Sequence, residues 1–385
     1  MSYFNNLPLL RGGLESTDAY ATVTSLLSTS TRHLFESKTS DEVFMNLAIQ
    51  AARRAESCVL PNPKVGALIT YGDKIVGEGF HSGPGQPHAE VEAIRDAESK
   101  GFHDFSKATL YCSLEPCSHV NKRTPPCAPI IASKNFKRVV IAHQDPNPLV
   151  SGRGIEIIRA AGIDVCTGCL QSDAETMNQA FLKNQIHRLP YITLKIALTF
   201  DGKMADDKGK SQWITGEPAR HLVHRLRSQA DSLGVGSGTI DADDPQLNVR
   251  LPSGNLQRKI VIFGNPKARV RSLRAAKANG LENIIQIPSK KSLKTSLRHL
   301  YRDHKICHLF IEGGAGLASS FLEKNLVDEL VLIYGRGIVG GVGKFSLLRK
   351  SKRSLGQTIS FTPHHVELLG SDVIMRGLKN VYRSH

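Results

Sequence analysis

No stretch of this chain approaches the roughly 20 consecutive apolar residues needed to cross a bilayer, so no membrane-spanning helix is expected. A disulfide framework is missing too. The cysteines number seven in 385 residues, an odd count scattered along the chain, which reads as a reducing compartment in which some thiols hold metal. The expected location is cytoplasmic. The first 40 residues lack the charged start and apolar core of a secretory signal. They are Ser/Thr-rich, and Arg11, Arg32 and Lys38 are balanced by Glu15, Asp18 and Glu36, whereas a transit peptide is Arg-rich and acid-poor. Residues 1–40 are therefore expected to form a poorly ordered extension, with organelle targeting the lesser alternative.

Charge is abundant but local. The net charge of +15 raises nucleic acid as a partner. Between Arg258 and Lys305, however, 13 Lys and Arg stand against only Glu282 and Asp303, so this segment supplies +11 of the +15. An enzyme built to act on RNA should carry its basic surface around its active site rather than in one remote segment. The segment reads instead as a solvated basic stretch with one or more helices.

A length of 385 residues suits two domains. Residues 41–56 have helical apolar spacing, and Asp41 can cap the start. Strands are expected at 65–70 and 74–78 around a Tyr71-Gly72-Asp73 turn. A helix follows over 87–100, with His88 near its start, then a strand at 109–113, a helix from Cys127 and a strand at 138–142. This alternation argues for a helix-flanked α/β sheet. A helix-like stretch at 173–186 leads to a boundary near 188. The second unit is also α/β, with strands expected at 191–198, 232–235, 259–263, 308–311 and 329–334. The pair Cys166-Thr167-Gly168-Cys169 has no partner C-x-x-C and falls in the region joining the domains, so it reads as incidental.

The strongest local signal is His88-Ala89-Glu90 followed by Pro116-Cys117 and Cys127. One imidazole and two thiolates hold zinc with a fourth position left for water. The metal lowers that water's pKa toward neutrality, and the hydroxide attacks a ring carbon bearing an amino group. A carboxylate that is not a ligand must move the protons, and Glu90, two residues past His88, stands in the right place. H-A-E alone would be weak; in order with P-C and a second Cys it is strong. Nine residues separate Cys117 from Cys127, where nucleic-acid and cytidine deaminases have two. His119 in that loop can compete as a ligand.

The loop PCSHVNKRTPPC resembles that of the bifunctional deaminase/reductases of riboflavin biosynthesis, the RibD family, with one extra residue and no glycine. PNPKVGALI, GEGFHSGPGQPHAEVEAI and QDPNPLVSGRGI are similar to further blocks of that family. So are LKIALTFDGKMA, SQWITG, LRSQADSLGVGSGTIDADDPQLNVR and FIEGGAGLASSFL in the second half. The resemblance runs from about 41 to 380. It implies a cytidine-deaminase-like three-layer α/β/α domain over 41–187 and a dihydrofolate-reductase-like α/β domain over 188–385. The two thiolates are then preferred to His119 as ligands beside His88, and Asn62 would contact the pyrimidine.

In the second half no G-x-G-x-x-G follows the first strand, so a Rossmann site is unsupported. Glu312-Gly313-Gly314-Ala315-Gly316 does follow a strand and precede a helix, where glycines let phosphate approach the helix N-terminus. The resemblance implies that Ala197, Trp213, Thr239, Asp243 and the loop from Gly313 through Gly314 and Gly316 to Ser320 line NADPH. It places Lys195, Ser211, Arg227, Leu247, Arg250 and Glu312 toward the substrate. Arg227 and Arg250 suit a ribose phosphate, and Lys195 is the candidate to polarise or orient the sugar. Thr199-Phe200-Asp201-Gly202 stands where the family has a Ser-Leu-Asp-Gly turn.

The implied reaction is deamination of a diaminopyrimidinone carrying a phosphoribosylamino group, then NADPH-dependent reduction of the ribosyl to a ribityl chain. The partner is a small pyrimidine ribose phosphate, with neither nucleic acid nor membrane expected and homo-oligomerisation left open. Three alternatives stand beside it: a nucleic-acid base editor, a catalytically silent pyrimidine or NADPH sensor, and a deaminase with an inactive second domain.

Overall fold

A computed structural model describes residues 39–55, 59–118, 125–147, 151–251, 254–289, 291–341, 347–348 and 353–379. Residues 1–38, nearly all of the expected extension, lie outside them, as do Cys58 and His119. The chain divides into two compact units between Ile186 and His187.

The first unit opens with α1 (Ser40–Arg53). Its cap is Thr39 rather than Asp41: Thr39 and Glu42 form a reciprocal capping box. Asp41 is thereby released to bind Arg138, at 2.9 Å, and to accept the Tyr111 hydroxyl, also at 2.9 Å. Then come the hairpin β1 (Gly66–Tyr71) and β2 (Lys74–Phe80), α2 (Ala89–Ser99), β3 (Thr109–Cys112), α3 (Cys127–Ser133) and β4 (Arg138–Ile141). After them lie α4 (Arg153–Ala160) and β5 (Asp164–Thr167), which sequence reading did not anticipate. Cys166 therefore belongs to a sheet strand, not to a connection between domains.

The sheet order is β2-β1-β3-β4-β5, antiparallel at β2–β1–β3 and parallel from β3 to β5. Strand alternation sorts the core into two layers. Ala67, Ile69, Leu110, Val139 and Ile141 face α2, α3 and α4. Leu68, Tyr111 and Val140 face α1 and Ala174. The unit is thus three-layered. Each fully buried Ile or Leu contributes about 1.5–3 kcal/mol to that packing.

The stretch read as one helix at 173–186 is two, α5 (Gln171–Met177) and α6 (Gln179–His187). Between them Asn178 is buried, and its amide accepts from Lys64 N and donates to Lys64 O, both at 2.8 Å. A side chain that pairs with one distant peptide competes with helix continuation.

Gly66 marks the closest approach of α1 to the sheet. A Cβ there would stand 2.0 Å from Ala48 O and 2.7 Å from Ala52 N. Both are helix backbone and cannot rotate aside. Gly66→Ala is expected to cost about 1–3 kcal/mol or more, measured as a lower urea midpoint at unchanged slope. A midpoint equal to wild type would show that this approach is looser than described.

The second unit has an eight-stranded sheet in the order β11-β10-β7-β12-β6-β13-β15-β14. Its strands are β6 (Tyr191–Leu198), β7 (Ser232–Gly236), β10 (Lys259–Phe263), β11 (Ile284–Ile287), β12 (His308–Glu312), β13 (Glu329–Tyr334), β14 (Thr362–Leu369) and β15 (Asp372–Leu378). A separate ribbon pairs β8 (Val249–Leu251) with β9 (Gly254–Leu256). Strands β11 through β13 run parallel, and β15 and β14 add antiparallel.

One face packs α10 (Leu293–His304) and α11 (Ala315–Glu323); the other packs α7 (Glu217–Ser228), α8 (Ser237–Asp243) and α9 (Arg274–Asn279). The basic segment is more than a solvated stretch. It supplies the strands β10 and β11 and the helices α9 and α10, with Leu297 and Leu300 buried and Lys294 and Arg298 outside. Among the described residues no helix is long and apolar enough to cross a membrane.

Candidate active sites

The first site forms where α2 begins. α2 lies directly on β2 because Gly79 offers no side chain; a Cβ there would be 2.3 Å from Ala89 O. His88 occupies the N-cap position and Glu90 the first turn. Cys117 follows β3, and Cys127 is the first residue of α3. The chain brings them together: His88 Nδ1 is 3.2 Å from Cys127 Sγ and 3.4 Å from Cys117 Sγ, and the Cys127 backbone N–H donates to Cys117 Sγ at 3.4 Å.

Tetrahedral zinc, with bonds of about 2.3 Å to sulfur and about 2.0 Å to nitrogen, sets its ligand atoms roughly 3.6 Å apart. These three fit, and among the described residues they are the one His/Cys/Asp/Glu group placed to hold a metal. The two thiols share a hydrogen bond that draws Cys117 down to about 4 and pushes Cys127 up. Glu90 is 3% exposed. Burial, then the negative charge of Cys117, raises its pKa to about 7. That value suits a group that takes and returns protons near neutrality.

Two further residues were not singled out from sequence. His81 is buried, and its ring lies 5.5 Å from that of His88, edge to face. Its Nδ1–H donates to Pro87 O at 3.0 Å, so its Nε2 accepts from Asn62 Nδ2 at 2.8 Å. That bond orients the Asn62 amide with its carbonyl oxygen turned away from His81. Glu115, 3% exposed, accepts the backbone N–H groups of Asp145, Gly152, Gly154 and Ile155 at 3.0–3.4 Å. It fastens the start of α4 to the strand end that carries Cys117. An acid beside Pro-Cys was the available signal. The six-residue gap at 119–124, which holds His119, is outside the described residues.

The second site is a cavity of about 2110 Å³ at the carboxyl ends of β6, β7 and β12, the usual place for ligands on parallel sheets. Of the residues assigned above to NADPH or to the reductase substrate, all line it except Ala318 and Ser319 of the Gly313–Ser320 loop. Lys195 and Glu312 sit opposite each other in the β6–β12 register, with Nζ 3.2 Å from Oε2. Arg227 binds Glu312 bidentately through Nε and Nη2 and gives Nη1 to Asn248 O at 2.9 Å. Burial would raise the pKa of Glu312, but Arg227 and Lys195 outweigh it and hold the carboxylate at about 2. Arg227 thus spends three of its five N–H groups on Glu312 and Asn248 while still lining the cavity.

Trp213 is 73% exposed, with Arg220 4.6 Å over its ring, which excludes a core role for it. Gly314 caps α11 and donates its N–H to Thr239 Oγ1 at 3.3 Å. The nine residues of α11 and the glycines before it offer the N-terminus that a dinucleotide phosphate needs. The Thr199 hydroxyl donates to Asp201 at 2.6 Å and accepts from Lys203 N, which explains why a hydroxyl residue suffices there.

Residues 38–143 match the cytidine and deoxycytidylate deaminase zinc-binding region, and residues 190–375 match the RibD C-terminal domain. Riboflavin biosynthesis protein RibD of Aquifex aeolicus is 36% identical over 357 residues, spanning 87% of this chain and 97% of that protein. The Escherichia coli protein of the same name is 35% identical, spanning 87% and 98%. The structure of Acinetobacter baumannii RibD is similar with a TM-score of 0.79 at 35% identity, covering 88% of this chain and 98% of that one. A Thermotoga maritima structure, described as a diaminohydroxyphosphoribosylaminopyrimidine deaminase/5-amino-6-(5-phosphoribosylamino)uracil reductase, gives 0.78 at 34% with the same coverage.

Proposed function

Because this chain belongs to the RibD family of bifunctional riboflavin-biosynthesis enzymes, a zinc deaminase joined to an NADPH reductase, we propose that it acts in the cytoplasm on 2,5-diamino-6-(5-phosphoribosylamino)pyrimidin-4-one. Residues 41–187 remove the ring 2-amino group as ammonia. Residues 188–385 reduce the ribosyl to a ribityl chain, giving 5-amino-6-(5-phosphoribitylamino)uracil. The observation that carries this reading is the convergence of His88, Cys117 and Cys127 beside the buried carboxyl of Glu90.

Bound zinc supplies a water that ionises near neutral pH, and bound NADPH supplies the hydride. His88, Cys117 and Cys127 hold the metal. Glu90 would take one proton from the attacking water and give it to the ring nitrogen, then carry the second from the newly attached hydroxyl to the amine, which leaves as ammonia as the ring carbonyl forms. Asn62, its amide set by His81, meets the pyrimidine edge. In the second site Lys195, held by Glu312, would orient the sugar with C1′ toward the cofactor; the C1′–O4′ bond opens, O4′ becoming the C4′ hydroxyl, so that C1′ gains a hydride and the amine nitrogen ends with its proton. Trp213, Thr239 and the Gly313–Gly316 turn hold the dinucleotide, with Ala197 and Asp243 on the same wall. Ser211, Leu247 and Arg250 face the substrate.

The test is a coupled assay on zinc-loaded protein given the diaminopyrimidinone ribose phosphate and NADPH. Ammonia release followed by NADPH oxidation is expected. A zinc chelator should abolish both, because the reductase is then starved of its substrate. Ammonia without oxidation would leave a deaminase with a silent partner domain. Neither signal would sink the assignment.

A further inference from the structure

His224 stands on α7 one turn before Arg227 and lines the same cavity. Its imidazole meets Arg250 twice. The Arg250 backbone N–H donates to Nδ1 at 3.2 Å, and the Arg250 guanidinium Nη2 lies 3.3 Å from Nε2. A neutral imidazole has one protonated nitrogen and one lone pair. A backbone N–H can only donate, so it claims the lone pair on Nδ1 and leaves the proton on Nε2. That Nε2–H faces a guanidinium nitrogen, which is also only a donor.

Two such donors cannot satisfy each other. Protonating the ring makes matters worse, since Nδ1 would then confront the amide N–H with a proton of its own. Burial, reinforced by Arg227 and Arg250, lowers the His224 pKa to about 4, which keeps the ring neutral near pH 7. Both donors are satisfied together by an acceptor that touches both. Beside a guanidinium the acceptor of choice is an oxyanion, and phosphate offers several oxygens to paired donors. Arg227, the other arginine at hand, already has three of its N–H groups engaged by Glu312 and Asn248.

We propose that His224 is a phosphate-binding residue of the reductase site, its Nε2–H closing with the Arg250 guanidinium on the phosphate monoester of the sugar substrate. This rests on the reading above that the second site takes a ribose 5-phosphate. It adds His224 to the Arg227–Arg250 pair expected toward the substrate.

The experiment measures reductase kcat/KM with 5-amino-6-(5-phosphoribosylamino)uracil and with its phosphate-free counterpart. Wild type, His224→Ala and His224→Gln are compared, and the ratio of the two substrates reads phosphate recognition. A hydrogen bond to a charged group supports a loss of about tenfold or more in that ratio for His224→Ala, arising in KM for the phosphorylated substrate. Glutamine, which can set an amide N–H near the Nε2 position, should restore most of it. Inorganic phosphate should also inhibit wild type competitively and the alanine variant more weakly.

An unchanged ratio in His224→Ala overturns the proposal. So does a loss that falls equally on both substrates, which marks a packing role. If wild type itself shows no preference for the phosphorylated substrate, the ribose-phosphate reading of the site fails and the proposal falls with it. Should the alanine variant not fold, His224→Leu, which fills the same space without an N–H, carries the test: the same loss of ratio is expected, and a ratio equal to wild type overturns the proposal.

Discussion

Glu90→Gln is expected to lower ammonia release by about 10²–10⁴-fold while zinc content stays at one per chain. Glutamine keeps the size of the side chain and its place in the first turn of α2, so the three ligands remain assembled. What it loses is the proton. Burial and the negative charge of Cys117 raise the Glu90 carboxyl above the usual carboxylate range, which favours accepting a proton and handing it on; an amide can do neither. The reductase half, assayed with deaminated substrate, provides the comparison within the same molecule. A fall of less than tenfold with zinc retained would remove Glu90 from the proton path. Loss of zinc together with activity would instead make it a support for the ligands.

The second large effect is expected at Glu312. Its side chain is 14% exposed, those of Arg227 and Lys195 are 15% and 16%, so solvent screens this cluster little. Glu312→Gln leaves two buried cations without a counter-charge. Removing one partner of a buried pair costs about 3–5 kcal/mol, which should appear as a lower denaturation midpoint of the second unit. Arg227 and Lys195 also lose the group that positions them. A displacement of that kind is worth on the order of 10²-fold in reductase rate. Lys195→Ala should match the rate loss with a smaller stability loss, since Arg227 still neutralises the carboxylate. A Lys195→Ala enzyme with full reductase rate would show that this amine does not orient the sugar.

The cluster of His88, Cys117 and Cys127 with Glu90 beside it was legible because such chemistry tolerates few residue types in a fixed order, and local spacing puts His88 and Glu90 on one helix start. The inner strands of the second unit were legible as short apolar runs. What stayed hidden depends on distant partners. Glu115 reads as an ordinary acid until residues 145–155 fold back onto it. Asn178 reads as a mid-helix residue until Lys64 arrives.

Arg227 was recognised as a site residue, but its commitment to Glu312 is a long-range fact that no motif carries. The helix α4 was missed although Ile155 and Ile158 have helical spacing, because Ser151 and Gly152 stand just before it and Gly154 sits in its first turn. The hairpin β14–β15 was missed because β14 carries Val366 and Leu368 on its exposed side, 60% and 78% open to solvent. Alternation there does not separate inside from outside.

The Asn178 clamp bears on where this chain could be divided. All three zinc ligands are in place by residue 127, and the matched zinc-binding region ends at residue 143. Yet the turn that carries Asn62 is pinned at Lys64 by a side chain 114 positions further on. A fragment ending at 143 is expected to keep the metal centre and lose the anchor of the turn that carries Asn62. One that runs past Asn178 keeps both, so a separable first unit is expected to need the chain through the start of α6.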